Sequence, residues 1–279
     1  MKHILITGAD SYIGTSLEAH LKGGPYTVTT LDVREPDWQE TPFTGFDVVL
    51  HVAAIVHQKE QPEMEELYFR VNRDLALRCA QKARAEGVGQ FILMSSMSVY
   101  GMDTGVITPG TTPQSVSFYG KSKLEAEALI RKEADERFKV CILRPPMVYG
   151  NGCKGNFQTV VKLVKLSPIF PRLRNQRSMI CIENLCEFLR LAIDEGFSGL
   201  FFPQNREYMQ TSDMARTIAE KLGKRVFFSR LAGLAVRMLI PFLPMAKKAF
   251  GSLVYQGTEQ HDYRYCIRES AESVADSIS

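Results

Sequence analysis

The chain has 279 residues, enough for one large or two unequal domains with an extensive core. Its 45% hydrophobic and 23% charged residues are ordinary for a globular protein, and a net charge of +3 is too small to indicate a nucleic-acid partner. The six cysteines form no CxxC pair and no zinc-like spacing, so we expect free thiols in a reducing compartment and no metal. No signal peptide precedes the first predicted strand, so we expect a cytoplasmic protein without a transmembrane segment.

A strand, a tight turn and a helix are predicted at the amino terminus by HILITGADSYIG, residues 3–14. The apolar run ends at Gly8, and the helix begins near Tyr12. Glycines at such a turn let a pyrophosphate approach the backbone, and the helix offers it free N–H groups and a positive dipole end. Gly8 and Gly14 take the outer glycine positions of a dinucleotide-binding loop, whereas Ser11 takes the middle one.

A second strand, at residues 26–31, is rich in β-branched residues and ends at Asp32. An acidic residue about 20 positions after the glycine turn can accept hydrogen bonds from the adenosine ribose, and it repels a 2′-phosphate. Asp32 therefore favours NAD over NADP. Arg34 could bind that phosphate instead, so NADP stays an alternative.

Strands and helices continue to alternate. An apolar strand at 46–54 ends in Ala53 and Ala54, whose small size lets a cofactor lie close. One long helix is expected at 63–86, because its apolar residues recur every four positions.

A serine-containing turn, residues 95–101, comes after the next predicted strand and would lie in the ligand crevice of a parallel sheet. Ser117 is expected to cap a helix at 118–137. Tyr119 and Lys123 share one face of that helix because they are four residues apart. Residues 1–150 thus predict a Rossmann-type, doubly wound parallel sheet in an α/β protein.

Shorter elements after Gly150 predict a smaller α+β lobe, residues 151–279, that binds substrate and exchanges some chain with the first lobe. Its predicted elements are a helix at 157–166, strands at 179–182 and 200–202, a helix at 184–193 and a helix capped by Thr211 or Ser212. The apolar stretch 231–246 contains Arg237 as its only charge and is short for a membrane span. We expect a buried or cleft-covering helix there, with contact to a membrane surface as the alternative.

Six motifs in this order resemble the extended short-chain dehydrogenase/reductases, specifically the nucleotide-sugar epimerase/dehydratase group that includes UDP-glucose 4-epimerases. They are TGADSYIG at 7–14, HVAA at 51–54, Asn72 in the long helix, SSMSVYG at 95–101, YGKSK at 119–123 and LRPPMVYG at 143–150. The resemblance covers nearly the whole chain and departs from the family pattern TGxxGxxG at Ser11.

The resemblance implies Ser96, Tyr119 and Lys123 as catalytic residues. Tyr119 would be the general acid/base, because the Lys123 cation and the nicotinamide charge favour tyrosinate, while Ser96 would hydrogen-bond the same sugar oxygen. The implied NAD-binding residues are Gly8, Asp10, Ser11, Tyr12, Ile13, Gly14, Asp32, Val33, Ala53, Ala54, Asn72, Ser95, Tyr119, Lys123 and Pro145. The implied substrate-binding residues are Met97, Asn156, Phe157 and Arg177, the last three in segments that resemble diphosphate-binding ones.

The two residues after Ser96 narrow the subtype. Dehydratases of the family that this chain resembles share an Asp-Glu pair directly after the catalytic serine or threonine. This chain has Met97 and Ser98 at those two positions. We therefore predict an NAD-dependent 4-epimerase that acts on a UDP-sugar in polysaccharide biosynthesis, with an NAD(P)H-dependent 4-keto-sugar reductase as the alternative. A catalytically inactive cofactor sensor is a remote third hypothesis. Helices 63–86 and 118–137 resemble those that pair in family dimers, so we expect a homodimer.

Overall fold

The computed structural model describes residues 1–56, 60–240, 242, 244–258 and 261–278. Its strands are β1 Lys2–Thr7, β2 Tyr26–Leu31, β3 Val48–His51, β4 Gln90–Met94, β5 Gly105–Ile107, β6 Lys139–Leu143, β7 Met147–Tyr149, β8 Ile169–Pro171, β9 Met179–Cys181, β10 Gly199–Phe201, β11 Phe227–Ser229 and β12 Leu253–Tyr255. Its α-helices are α1 Tyr12–Leu21, α2 Glu65–Phe69, α3 Ala76–Ala85, α4 Phe118–Ile130, α5 Asn156–Leu166, α6 Ile182–Glu195, α7 Thr211–Lys221, α8 Arg230–Leu239, α9 Pro244–Phe250 and α10 Ser270–Asp276.

The chain divides into two compact units, each made of three segments. Unit 1 comprises Met1–Gly101, Thr112–Pro145 and Cys186–Pro203. Unit 2 comprises Met102–Thr111, Pro146–Leu185 and Gln204–Ser279. All six cysteines are free thiols, and all but Cys266 are buried, as the sequence predicts.

Unit 1 is built on a six-stranded sheet in the order β10-β6-β4-β3-β1-β2, with every neighbouring pair parallel. The strands are short apolar runs because helices cover a parallel sheet on both faces. Leu5, Val49, Phe91 and Ile142, from four adjacent strands, belong to one buried cluster with residues of α3 and α4. The predicted Rossmann-type fold is confirmed.

The strand expected at 200–202 in the smaller lobe forms at Gly199–Phe201 and belongs to unit 1 instead. β10 pairs in parallel with Cys141–Leu143 of β6 and lengthens the sheet of unit 1. A parallel pair needs a long crossover connection, and α6 provides its helix. Nothing in a three-residue apolar strand indicates its partner, so this pairing is set by tertiary structure.

Both long helices of unit 1 differ from their predicted form. The helix expected at 63–86 begins with a 3₁₀ turn at Pro62–Met64 and changes to a π-helix at Arg70–Leu75, between α2 and α3. The helix expected at 118–137 ends at Ile130 and a 3₁₀ turn. The Asp135 carboxylate then accepts from the backbone N–H groups of Arg137 and Phe138, at 2.8 and 2.9 Å, and turns the chain into β6.

Unit 2 contains three separate parallel strand pairs, β5 with β12, β7 with β9 and β8 with β11. The expected cap of α7 is wrong, because Gln210 is the N-cap residue. The hydroxyls of Thr211 and Ser212 donate instead to carbonyl oxygens of Ala249, at 3.0 Å, and Leu173, at 3.1 Å. These bonds fasten α7 to neighbouring loops of the unit.

Residues 241 and 243 of the apolar stretch 231–246 lie outside the described residues, and the part of the stretch within α8 is not the buried helix expected there. The stretch begins within α8, whose large side chains face solvent and whose only buried residue is Gly233. Within the described residues, no helix is both long enough and apolar enough to span a bilayer.

Candidate active site

The turn after β1 depends on Gly8. Its φ of 116° is a conformation that L side chains rarely adopt, and a Cβ there would lie 2.8 Å from the backbone nitrogen of Ala53. Glycine therefore brings this turn against the segment that comes after β3. Asp10, in the same loop, also has a positive φ of 63°.

Ser11, the departure from the family glycine pattern, is the N-cap of α1. Its Oγ accepts a hydrogen bond from the Gly14 backbone N–H at 3.2 Å. A Cβ on Gly14 would lie 2.6 Å from that Oγ, so Gly14 makes room for the cap. The other N–H groups of the first turn stay directed out of the helix end, where Tyr12 and Ile13 lie. This loop fits the pyrophosphate of a dinucleotide.

Asp32 lies just beyond β2 and is paired with Arg34. Its Oδ1 accepts from the Arg34 backbone N–H and from Nε, both at 2.9 Å, and its Oδ2 accepts from Nη2 at 2.5 Å. These bonds lower the pKa of the Asp32 carboxyl. The position therefore offers a ribose-binding carboxylate and a phosphate-binding cation together. Val33, between them, is buried in the core of unit 1.

Asn72, predicted to bind cofactor, lies in the π-helix and braces two other elements. Its Oδ1 accepts from the Ile55 N–H at 2.8 Å, and its Nδ2 donates to the Ile55 carbonyl and to Ser122 Oγ, both at 3.2 Å. The amide thus supports the backbone just after Ala53 and Ala54, next to α4. π-Helical turns commonly occur at functional sites, and this one carries the Asn72 side chain that makes these bonds.

Ser96 begins a 3₁₀ turn, Met97–Tyr100, at the carboxyl end of β4. Its Oγ accepts from the Ser98 N–H at 3.1 Å. Backbone bonds hold the turn on both sides, from the Ser95 N–H to the Leu143 carbonyl at 2.8 Å and from the Met97 N–H to the Pro145 carbonyl at 2.9 Å. Pro145, a predicted cofactor contact, therefore also positions the turn that carries Ser96.

Helix α4 brings Tyr119 to this serine turn. Ser117 caps the helix as predicted, accepting from the Gly120 N–H at 3.1 Å. A Cβ on Gly120 would lie 2.5 Å from the Ser98 carbonyl oxygen, so only glycine permits this approach. Tyr119 is thereby close enough to Ser96 for the serine side chain to lower the pKa of the tyrosine hydroxyl. The glycine of the YGKSK motif is therefore needed for the packing of α4 against the serine turn, a role that the spacing of the motif does not indicate.

The pKa of Tyr119 moves opposite to the expected direction. Desolvation raises it to about 12, with a smaller lowering by the Ser96 side chain and a raising by Tyr68. Lys123, whose ammonium donates to the Met94 carbonyl at 2.8 Å, contributes no lowering of the Tyr119 pKa that would offset the desolvation. Tyr119 is therefore protonated at neutral pH in this structure.

Lys123 is completely buried and loses hydration as well. Desolvation lowers its pKa to about 8, opposed by the Glu127 carboxylate one helical turn further on. The Lys123 charge in turn lowers the pKa of the buried His51, whose pKa falls to about 3 mainly by desolvation. Thr7 Oγ1 and His51 Nδ1 lie 2.7 Å apart, so neutral imidazole is held at the end of β3.

A buried ion pair that the sequence analysis missed lies behind the serine turn. Arg144 Nη2 and Nε donate to the Glu127 carboxylate at 2.5 to 3.2 Å, and Arg144 Nη1 donates to Tyr100 Oη at 2.8 Å. Ser95 Oγ donates to Glu127 Oε1. The pair thus contacts both ends of the turn that carries Ser96. Its sequence signal is charged residues within otherwise buried runs.

The predicted substrate residues other than Met97 lie in unit 2. Arg177 exchanges backbone hydrogen bonds with Met209, both at 2.9 Å, and its Nη1 donates to the Gly251 carbonyl at 2.9 Å. Desolvation lowers its pKa, so it is no ordinary surface charge. Asn156 is exposed at the start of α5. The Phe157 ring is buried 5.6 Å from that of Tyr149, so only its backbone could reach a ligand.

Known proteins are similar to this chain in sequence or in fold. The UDP-glucose 4-epimerase of Vibrio cholerae is 31% identical over 251 residues, which cover 80% of this chain and 76% of that protein. The structure of UDP-glucuronic acid 4-epimerase from Bacillus cereus in complex with NAD superposes with a TM-score of 0.75 at 19% identity, covering 99% of this chain and 94% of that one. A dTDP-4-dehydrorhamnose reductase from Clostridium acetobutylicum has a TM-score of 0.73 at 22% identity, covering 99% and 98%.

These structural similarities establish the fold, and a match to a sequence family establishes the family. Residues 4–200 match the family described as the NAD dependent epimerase/dehydratase family. The matched range includes the glycine turn, the Ser96 turn and the Tyr119–Lys123 helix. The chain belongs to the NAD dependent epimerase/dehydratase family.

Proposed function

We propose that the protein is an NAD-dependent nucleotide-sugar 4-epimerase that acts on a UDP-sugar. The observation that carries this proposal is the close packing of α4 on the serine turn, which brings Tyr119 next to Ser96, with Lys123 one turn further along α4. The Vibrio cholerae relative with 31% identity is itself a UDP-glucose 4-epimerase. The missing Asp-Glu pair after Ser96 argues against a dehydratase.

The residues of unit 1 suit a bound dinucleotide. The Gly8 turn and the amino terminus of α1 would hold the pyrophosphate, and Asp32 would accept from the adenosine ribose hydroxyls. When bound, the nicotinamide supplies the chemistry of taking a hydride from the sugar C4 carbon and returning it to the opposite face. NAD is the proposed cofactor, and the Asp32–Arg34 pair leaves NADP as the alternative.

The side chains near Ser96 would transfer the proton of the sugar 4-hydroxyl. Tyr119 would act as tyrosinate, a form favoured by the positive charge of the bound nicotinamide; its phenolate oxygen would take the proton of the sugar 4-hydroxyl as C4 is oxidised and return it on reduction. Ser96 Oγ would hydrogen-bond the same oxygen and hold it in line with Tyr119. Lys123, anchored on the Met94 carbonyl, would fix the ribose next to the nicotinamide and supply a positive charge that favours the tyrosinate form of Tyr119 before the proton is taken.

A 4-keto-sugar reductase is the second candidate, favoured by the fold shared with the dTDP-4-dehydrorhamnose reductase. The two functions differ in cofactor stoichiometry. An epimerase keeps its cofactor and regenerates it in every cycle, whereas a reductase consumes one reduced cofactor per product. A catalytically inactive sensor is not favoured, because the Ser96, Tyr119 and Lys123 side chains are all retained in one arrangement.

The decisive experiment combines cofactor release with turnover. We expect denatured protein to release NAD, and the native protein to interconvert a UDP-hexose with its C4 epimer without added cofactor. An empty protein that oxidises added NADH or NADPH with a 4-keto sugar would identify a reductase. Absence of turnover across a nucleotide-sugar panel by correctly folded, cofactor-loaded protein would contradict both enzymatic assignments.

Two finer assignments accompany this proposal. Arg177 is assigned to the substrate diphosphate, because its guanidinium is held in place and can donate to phosphate oxygens. The protein is assigned a homodimer in which α2, α3 and α4 pair with those of a second copy. A monomer at micromolar concentration in sedimentation would contradict the dimer, and free thiols suit a cytoplasmic location.

A further inference from the structure

Helix α8 of unit 2 has the reverse of the usual amphipathic arrangement. A helix on a globular domain normally buries its large apolar side chains. In α8 the exposed fractions are 81% for Leu231, 57% for Leu234, 67% for Met238 and 48% for Leu239. Phe242, just beyond the helix, is 78% exposed. These five residues are called the α8 apolar face.

The inner side of α8 is made of smaller contacts. Gly233 packs against the backbone of Arg172, where a Cβ would collide with the carbonyl oxygen. Ser229 caps the helix, with its Oγ accepting from the Ala232 N–H at 3.1 Å. The helix is thus fixed on unit 2 in an orientation that exposes its apolar face, and a substitution on that face leaves this anchoring intact.

The apolar surface continues beside the start of the helix. β8 and β11 pair Ile169 with Phe227, and both side chains are exposed. Phe227 precedes the Ser229 cap by two residues. Exposed apolar side chains that are contiguous, rather than scattered, mark a surface that another phase or molecule covers.

The sequence that forms this surface is rich in basic residues, and Glu220 borders it beside Phe227. Residues 221–258 contain seven Lys and Arg and no Asp or Glu. On α8 itself, Arg230 and Arg237 are exposed and lie along one edge of the apolar face. A second copy of the same surface would bring these like charges together, whereas an anionic bilayer offers negative headgroups beside an apolar interior.

We propose that α8 is an interfacial helix that docks unit 2 onto the surface of an anionic lipid membrane. The α8 apolar face enters the boundary between headgroups and acyl chains, and Arg230 and Arg237 bind lipid phosphates. This docking goes beyond the proposed sugar chemistry and does not depend on it. The helix is too short to span the bilayer and would lie in the plane of the interface.

Vesicle flotation of the full-length protein tests the proposal. We expect binding to vesicles of phosphatidylcholine with phosphatidylglycerol, weaker binding at high salt, and little binding to phosphatidylcholine alone. The double variant Leu234→Asp/Met238→Asp should lose more than about 10-fold in binding. Val116→Asp, at an exposed apolar residue of unit 1, is its matched control and should bind as the unaltered protein does.

A second pair of variants tests the charges. Arg230→Ala/Arg237→Ala should weaken binding by about 5- to 30-fold and reduce its salt dependence. Arg131→Ala/Lys132→Ala, at exposed residues of unit 1, is the control and should bind unchanged. Leu231→Trp should show a blue shift of fluorescence with vesicles, against a constant signal from the buried Trp38.

Three outcomes would overturn the proposal. These are no binding of the unaltered protein to anionic vesicles, binding that the Leu234→Asp/Met238→Asp variant retains, and self-association that this variant abolishes without any vesicle binding. The last would identify a second copy as the occupant. Turnover of a soluble nucleotide sugar is measured in parallel, so failure of the proposed enzymatic function is recognised separately.

Discussion

Lys123 donates from Nζ to the carbonyl oxygen of Met94 at 2.8 Å, and its side chain is only 1% exposed. The bond ties α4 to the last residue of β4, immediately before the serine turn. The proposed catalytic lysine is therefore also a buried charge. Its pKa near 8, well below the ordinary 10.5, records the cost of burial for the charged form.

The first prediction is a pH-dependent stability difference. Between pH 8 and 10.5 the unfolded chain binds a proton on Lys123 that the folded protein lacks, so raising the pH stabilises the fold through this residue, by about 1.4 kcal/mol per pH unit. Lys123→Met removes this titration. We compare the free energy of unfolding of the variant with that of the unaltered protein, as variant minus unaltered. This difference should be highest below pH 8 and should decrease by up to about 3 kcal/mol as the pH rises to 10.5, because only the unaltered protein gains stability over that range.

Denaturant unfolding at several pH values measures this difference. Lys121→Met, at an exposed lysine of the same helix, is the control and should show no comparable trend. Loss of the hydrogen bond to Met94 shifts the difference by a constant amount at every pH. A difference for Lys123→Met that stays constant across the range would contradict the prediction.

Tyr119→Phe tests the acid/base assignment. The substitution removes one hydroxyl from a half-buried ring, so the fold should persist while turnover falls by about 10²- to 10⁴-fold. Tyr68→Phe removes a neighbouring buried hydroxyl and should keep most of the turnover. Steady-state rates with the UDP-sugar measure both, and near-normal rates for folded Tyr119→Phe would refute the assignment.

Asp32 and Arg34 together should set the choice between NAD and NADP. Asp32→Ala removes the carboxylate that repels a 2′-phosphate and frees the Arg34 guanidinium, so the preference should move towards NADP by about 10-fold or more. Arg34→Ala should move it towards NAD. Calorimetric titration of both cofactors provides the measurement, and an unchanged preference in Asp32→Ala would disprove the role of Asp32.

Removing one partner of the Glu127–Arg144 pair should lower the free energy of unfolding more than replacing both partners with apolar residues. Glu127→Met leaves the Arg144 guanidinium buried without its carboxylate, and we expect a loss of about 3–5 kcal/mol in the free energy of unfolding. The double variant Glu127→Met/Arg144→Met should be less destabilised than Glu127→Met alone. Denaturant unfolding of the single and double variants tests this, and purely additive losses would argue against a coupled pair.

Arg177→Ala should mainly weaken substrate binding. A guanidinium that holds phosphate makes similar contacts in the ground and transition states, so KM should rise with kcat less affected. The expected loss is about 1.5–3 kcal/mol, roughly 10- to 150-fold in kcat/KM. Arg174→Ala, at an exposed arginine nearby, is the control. Unchanged nucleotide-sugar affinity in Arg177→Ala, with NAD affinity also unchanged, would return Arg177 to a purely structural role.

Much of unit 1 could be predicted from local sequence. The apolar runs of β1, β3, β4 and β6 are long enough to identify as strands, and glycine at position 8 marks a turn that other residues cannot adopt. The spacing of Tyr119 and Lys123 places them on one helix face by helical geometry alone. These features depend on neighbours within a few residues, which the sequence contains directly.

Only the tertiary structure decided the remaining features, because they depend on contacts between distant residues. The partner of β10 lies about 58 positions away along the chain. The pKa values of Tyr119 and Lys123 follow mainly from desolvation by surrounding elements, which for Lys123 outweighs the attraction of the Glu127 carboxylate. Helix α8 has an apolar sequence that suits burial equally well, and its exposure is set by Gly233 against Arg172. The apolar composition of α8 predicts that its side chains are removed from water. Tertiary packing determines whether the rest of this protein buries them or leaves them exposed to a partner.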